Sequence, residues 1–340
     1  MKKNTSFQRA TEQFAWRVAH EIDFGSRVLV HGLPQFGFHD RLGNSYLLHN
    51  ERNFIGLVQD DRLVWTAGAV DPALAPLHLP VALQGPKFIC RAYLHDALLI
   101  SDENAIYRLD LSSMEISQLL AKGDAGIVDM GNCVCDFADN IWVNDIRGCK
   151  ILRFSFDGTL VDTIGNGTLG FQMQTVPFSE ARFRWIYDIR LGPDGTLYVL
   201  DSKNYAVRKV DPCARTVSTL CGDGVGGYCG DGGDARLARL GANADVFFDG
   251  PWSLFVEDDG TVYIGDTQNH AIRRIDSATG RISTIAGGLQ KAAHETAPVF
   301  FEKICGMDFW NSTLYVPDWR ETAPNTLIVL EKDGCPLAKP

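Results

Sequence analysis

The sequence predicts an all-β fold, a six-bladed β-propeller of four-stranded antiparallel blades. Three observations lead there. A strand–turn–strand unit recurs six times, its short strand-like runs are separated by Asp-Gly or Asn-rich turns, and the last unit lacks one strand. The unit is plainest at residues 194–210, DGTLYVLDSKNYAVRKV, and at 259–275, DGTVYIGDTQNHAIRRI. Each is followed by an Asp, a turn and a further short strand, at 216–220 and 281–285. Looser copies lie around 45–49, 98–102, 140–145 and 313–318. One twisted four-stranded sheet cannot bury both of its faces; stacking sheet on sheet supplies the core, and closing the ring removes exposed ends.

Taken in chain order, residues 7–22 place Phe7, Ala10, Phe14, Val18 and Ile22 at helical spacing. They predict a short helix packed across a blade edge or the bottom of the disc. Residues 27–30 read as a strand. The final unit shows strands near 307–309, 314–316 and 327–330 and then runs out, so 27–30 is expected to pair with it and lock the ring. The expected division is a helical extension over 1–26 and a single propeller over 27–340.

Composition narrows the function. The 340 residues carry 32 Lys+Arg against 42 Asp+Glu, a net charge of -10, with 45% hydrophobic and 22% charged residues. That profile describes an ordinary globular chain with ample core and excludes disorder. The acidic balance argues against nucleic acid, whose phosphates demand a surplus of Lys and Arg. No run of about 18 apolar residues suggests a membrane span. Met1–Ser6 begins like a basic signal region without the apolar run that should follow, so the expectation is cytoplasmic. The sequons at Asn4, Asn166 and Asn311 then carry no weight. Nothing indicates an oligomeric state.

Nine cysteines, an odd number and dispersed, read as buried reduced thiols rather than a disulfide framework. Cys133 and Cys135 share one face of a strand, with Cys149 on the strand paired to it; no fourth ligand completes a zinc set, so core thiols are expected. Cys221 and Cys229 bracket a Gly-rich loop and would join only under oxidising conditions. Those glycines are not a phosphate cradle, because neither Gly-Lys-Ser/Thr nor a following helix accompanies them.

The stretch from Cys221-Gly222-Asp223-Gly224 through Gly230-Asp231-Gly232-Gly233-Asp234-Ala235, with Ala238 and Leu240, resembles the inter-blade loop of bacterial NHL-repeat proteins. The signatures ending Asn204-Tyr205-Ala206-Val207-Arg208 and Asn269-His270-Ala271-Ile272-Arg273 resemble the NHL repeat itself. The likeness is strong over 186–288, recognisable over 127–165 and 305–330, and weak over 36–120. It implies a six-bladed propeller and no particular reaction. NHL propellers include scaffolds for protein or RNA, and related six-bladed folds include amidating lyases, lactonases and strictosidine-synthase-like enzymes.

In such a fold the first strand of each blade lines a central channel. The loops leading into that strand and the loops joining strands two and three share one face, where a narrow funnel buries small ligands. Long lead-in loops at 68–86, 166–184, 221–250 and 286–303 mark this face as the functional one. The equivalent turn positions are His49, Asp102, Asp145, Asp201, Asp266 and Asp318. An Asp there is expected to accept backbone N–H bonds; His49 breaks the pattern.

Channel-facing candidates are Asn132, Asp188 and Ser253, with Cys90 and Cys305 at a less certain register. Asp188 stands between Tyr187 and Ile189, where a carboxylate must be paired, hydrated or bound to a cation. With Asn132 it would form an oxygen pair suited to Ca²⁺ or Mg²⁺. The zinc chemistry of the related lyases is not supported, since only His39 falls near an inner strand. Asp188, His49 and His270 are the candidate catalytic groups. Arg147, Arg184, Trp185, Lys203, Tyr205, Trp252, Trp319 and Arg320 gather on the rim, a lining suited to an anionic or planar organic molecule.

No nucleophile elbow, H-E-x-x-H or dinucleotide fingerprint appears. Two functions remain expected. One is a propeller that binds and transforms a small molecule as a lyase or hydrolase, assisted by one divalent cation. The other is a non-catalytic module that recognises a protein or peptide on the same face. On the first reading Asp188→Asn abolishes activity or metal uptake and leaves the melting temperature nearly unchanged.

Overall fold

The computed structural model describes residues 16–23, 36–40, 42, 44–50, 53–59, 62–69, 75–242, 249–288, 300–310, 312–320 and 326–332. The described residues form six sheets, one per predicted repeat. Blade 1 holds Phe36–His39, Ser45–His49, Phe54–Gln59 and Arg62–Gly68; blade 2 holds Phe88–Arg91, Ala97–Ser101, Ala105–Asp110 and Glu115–Ala121. Blade 3 holds Met130–Cys135, Ile141–Asp145, Lys150–Phe154 and Leu160–Ile164; blade 4 holds Ile186–Leu191, Leu197–Asp201, Ala206–Asp211 and Thr216–Cys221. Blade 5 holds Ser253–Val256, Val262–Asp266, Ala271–Ile275 and Ile282–Gly287; blade 6 holds Asp308–Trp310, Thr313–Asp318 and Thr326–Lys332. Neighbours within these four-strand meanders pair antiparallel. Blades 1 and 4 each gain a fifth short strand on the outer edge, Leu77–Leu79 and Val176–Pro177.

Burial follows the layering. The second strands of blades 2 to 5, such as Leu197–Asp201 and Val262–Asp266, are buried at every position because both of their faces meet neighbouring blades. The outer strand Glu115–Ala121 is mostly half-buried or exposed. Between blades 4 and 5 the core consists of Leu200, Val207, Leu254, Val256 and Ile264; between blades 2 and 3, of Leu99, Ile106, Cys133, Val143 and Leu152. Each such aliphatic side chain contributes roughly 1.5–3 kcal/mol. The Asp-Gly turns act as read: Gly195 and Gly260 take φ of 81° and 82°, and Asp194 and Asp259 each accept the amide two residues on, at 3.0 and 2.8 Å.

The N-terminal reading needs correction. Trp16–Asp23 is a strand, antiparallel to Thr326–Lys332, and is the fourth strand of the blade-6 sheet. Residues 16–22 are therefore not helical and belong to a blade rather than to a helical extension. An unpaired strand edge offers a row of waiting backbone bonds, whereas an isolated helix of that length is marginal in water. Residues 7–15 and the proposed closing strand 27–30 lie outside the described residues. No helix among the described residues is long and apolar enough to cross a membrane.

Candidate functional site

In blades 2 to 6 the Asp that closes the second strand anchors the loop leading into its own blade. Asp102 accepts the Gln84 amide at 2.9 and 3.0 Å; Asp145 accepts Val128 and Asp129 at 3.0 and 2.8 Å. Asp201 accepts Arg184 at 2.7 Å, Asp266 accepts Gly241 at 2.7 Å, and Asp318 accepts Glu302 and Lys303 at 2.8 and 2.9 Å. This is the backbone-acceptor role expected from the sequence. In blades 4 and 5 the latch is reinforced. Asn204 and Asn269 donate to Asp201 and Asp266 at 2.8 and 2.9 Å, and the wholly buried Arg208 and Arg273 approach the same carboxylates at 3.3 and 3.5 Å. Burial nonetheless pushes both carboxyls up to about 6, outweighing these cations and hydrogen bonds.

The latches hold the lead-in loops around one axial cavity of about 300 Å³ to which all six blades contribute. Asn50 comes from blade 1, Lys87 and Phe88 from blade 2, Asn132 and Arg147 from blade 3, Trp185 and Asp188 from blade 4, Trp252 from blade 5, and Cys305 from the loop leading into blade 6. Trp185 sits at φ 59°, a left-handed conformation uncommon for a bulky residue. It is held there because Arg184 N bonds to Asp201 and the Trp185 carbonyl accepts Ser202 N at 3.0 Å. Arg147 and Lys203 each place a cationic group 5.8 Å from its ring centre. Trp252 stacks on Tyr187 with ring centres 5.9 Å apart and planes inclined by 26°.

At the cavity floor the buried Asp188 accepts a bond from Asn132 Nδ2 at 2.7 Å, from the Leu254 amide at 2.9 Å and from the Arg190 guanidinium. Burial pushes the Asp188 carboxyl upward, while Arg190 and the hydrogen bonds pull it down. Arg190, itself lowered by burial, packs over Phe88 with its guanidinium 4.2 Å from the ring centre. Arg190 was missed in the sequence, although it lies two positions from Asp188 and so on the same strand face. It supplies the positive charge that a cation was expected to bring. Asn132 turns its donor, not its oxygen, toward the carboxylate, and both carboxylate oxygens are engaged. As the side chains stand, the Asp188–Asn132 pair presents a donor and an engaged carboxylate, and no group of three or more His, Cys, Asp or Glu side chains among the described residues is arranged to hold a metal.

Two irregularities bring adjacent residues to the channel. The pairing register shifts between Ile186 and Asp188, which lets Tyr187 and Asp188 both line the cavity, and another shift between Met130 and Cys133 accompanies Asn132. Three oppositely charged pairs line the wall: Asp188 with Arg190, Arg147 with Asp129 at 2.9 Å, and Lys87 with Glu103 at 3.2 Å. Their formal charges cancel.

Of the residues singled out in the sequence, Asn132, Arg147, Trp185, Asp188, Trp252 and Cys305 meet in this cavity. The others do not line it. His49 is fully buried and stacks on Phe54 within its own blade, with ring centres 5.5 Å apart. His270, in a left-handed conformation, bonds through Nδ1 to the carbonyls of Phe301 and Glu302 at 2.9 and 3.2 Å and so secures that loop. Lys203 and the Tyr205 hydroxyl both serve Asp249, at 2.7 and 2.6 Å. Arg184 contributes its amide to Asp201, and Ser253 is buried in the inner strand of blade 5. Trp319 carries the Lys303 ammonium 3.9 Å from its ring centre, and Arg320 bonds to Asp318 at 3.0 Å.

Six sheets around a polar, aromatic-walled axial cavity define a β-propeller with a ligand-sized well. No protein-family model matches the chain. Protein SUPPRESSOR OF QUENCHING 1, chloroplastic, of Arabidopsis thaliana is 34% identical over 92 residues, 27% of this chain and 8% of that protein. NHL repeat-containing protein 2 of Homo sapiens is 29% identical over 108 residues, 32% of this chain and 14% of that protein. The chain thus spans a small fraction of the curated relatives it matches. Among solved structures, an auxiliary nutrient binding protein from Bacteroides thetaiotaomicron superposes with a TM-score of 0.58 at 16% identity, covering 88% of this chain and 69% of that one. Virginiamycin B lyase from Staphylococcus aureus gives 0.53 at 12% identity, covering 92% and 88%. Likeness at that identity establishes the fold alone. The repeat matches, over about a third of the chain, together with the six sheets support an NHL-type β-propeller.

Proposed function

We propose that the protein binds a small planar organic molecule, neutral or zwitterionic overall, in the axial cavity. The observation that carries this reading is the lining itself. Trp185, Tyr187 and Trp252 offer ring surface, while three compensated ion pairs offer donors and acceptors without a net field. A strongly anionic ligand, allowed by the sequence, suits these paired charges less well. A concave well of about 300 Å³ suits a small molecule better than a flat protein surface. The neighbours described as a nutrient binding protein and a lyase support ligand binding by this architecture.

A titration tests it. Purified protein is mixed with planar zwitterions, such as aromatic amino acids and pterins, and followed by tryptophan fluorescence and calorimetry. Binding with one-to-one stoichiometry is expected, and Trp185→Ala or Trp252→Ala should each weaken it about tenfold, the equivalent of one ring-stacking contact of about 1.4 kcal/mol. Saturable binding that ignores both substitutions, or capture of peptides on this face with no small ligand bound, overturns the reading.

Transformation of the bound molecule is a second reading, favoured by one observation: Asp188 is a buried carboxyl raised above its ordinary range at the floor of a cleft. On that reading a protonated Asp188 donates to the ligand. Product formation that rises as pH falls through the Asp188 titration supports it; binding without turnover at any pH removes it.

A further inference from the structure

Three cysteines from two blades meet beside a second, smaller cavity. Cys90, in the inner strand of blade 2, faces Cys135, in the inner strand of blade 3, with the sulfurs 3.9 Å apart. Cys133, on the same blade-3 strand, belongs to the core cluster against which Cys90 packs. Cys133 and Cys135 are buried, whereas Cys90 is half-buried. A cavity of about 180 Å³, lined by Cys90 and Cys135 with Tyr46, Arg91 and Tyr93, gives both sulfurs an approach. Arg91 is already engaged by Asp40 at 3.2 Å and Asp96 at 2.5 Å, so it presents no free positive charge to an entering molecule.

We propose that Cys90 is the nucleophile of a thiol–disulfide exchange site, with Cys135 as its resolving partner, and that a small disulfide entering this second cavity is its co-reactant. Cys90 is chemically set apart from its neighbours. The neighbouring Cys133 and Cys135 sulfurs hold it well below the usual thiol range, and the same contacts together with burial push those two up. In the first step the Cys90 thiolate attacks one sulfur of RSSR, forming Cys90–S–S–R and releasing RS⁻, which takes up a proton. In the second, the Cys135 sulfur attacks Cys90, forming the protein disulfide; its proton leaves with the second RSH. Two protein thiols are oxidised and one disulfide is reduced to two thiols. The sulfurs must close from 3.9 Å to about 2.05 Å, and the product ties blade 2 to blade 3.

The test uses the full chain, reduced and then exposed at pH 7 to hydroxyethyl disulfide, alkylated and mapped by mass spectrometry. The expected result is a peptide pair cross-linked through Cys90 and Cys135, with two alkylatable thiols lost. Cys90 should react about tenfold faster than the exposed Cys213 despite its lesser exposure. Cys135→Ser should halt at a mixed disulfide on Cys90, and Cys90→Ser should leave Cys135 reduced. The wild-type map needs no variant to fold. Adducts on Cys213 and Cys229 with Cys90 unmodified, or a Cys90 adduct that never passes to Cys135, overturn the proposal.

Discussion

Arg208→Met is expected to lower folding stability by about 3–5 kcal/mol, the scale found when one partner of a buried ion pair is removed. The Arg208 side chain has no exposed surface, packs between Phe171 and Phe183, and is the guanidinium facing the equally buried Asp201. Methionine fills much of the volume but leaves a carboxylate in a dry interior. The loss should depend on pH. Asp201 titrates at about 6 in the folded protein against 3.8 in its reference state, so the folded chain holds the extra proton between those values. Its contribution to stability is thus fullest below pH 4 and is lost as pH rises through about 6. Without Arg208 the ionised form is still less welcome, so the deficit of the variant should be small at pH 5 and large at pH 8. Denaturant melts at the two values read this directly; equal deficits at both would show that lost packing, not charge, dominates. Asp201→Asn added to Arg208→Met should flatten the difference.

Asp188→Asn carries the second large effect. The sequence alone suggests a variant as stable as the parent. The structure argues for a different outcome, because the substitution removes the carboxylate paired with the Arg190 guanidinium in a site where burial already disfavours that cation and leaves it only the weaker pull of Asp308. A cost of about 3 kcal/mol is expected, together with loss of ligand binding in the axial cavity. The double variant Asp188→Leu with Arg190→Met should regain most of the stability and none of the binding. A stable but non-binding double variant separates the pair's contribution to the well from its contribution to the fold. If Asp188→Asn alone melts with the parent, the ion pair is not what holds the cavity floor.

The sheets were legible because their signals are local. Asp194-Gly195 and Asp259-Gly260 fix turns within four residues, and the second strands, largely apolar up to their closing Asp, are buried. The latching role of Asp201 and Asp266 could likewise be read from repetition at equivalent positions, and the channel position of Asp188 from strand alignment. What failed depended on distant partners. Residues 16–22 carry a spacing compatible with a helix, and only the waiting edge of Thr326–Lys332, more than 300 residues away, makes them a strand. The register shift beside Tyr187 has no sequence signature, so the alternation rule could not place Tyr187 and Asp188 in one cavity. Cys90 lies 45 positions from Cys135, and no spacing rule pairs thiols across blades. His49 drew notice because it departs from the Asp pattern; in the fold it is buried and stacks on Phe54.

Phe88 lines both the axial well and the smaller cavity beside Cys90, and Arg190 lies against its ring. One aromatic ring is therefore a party wall between two compartments. A tenant in either compartment presses on the same ring and changes the room left for a tenant in the other, with no strand needing to shift.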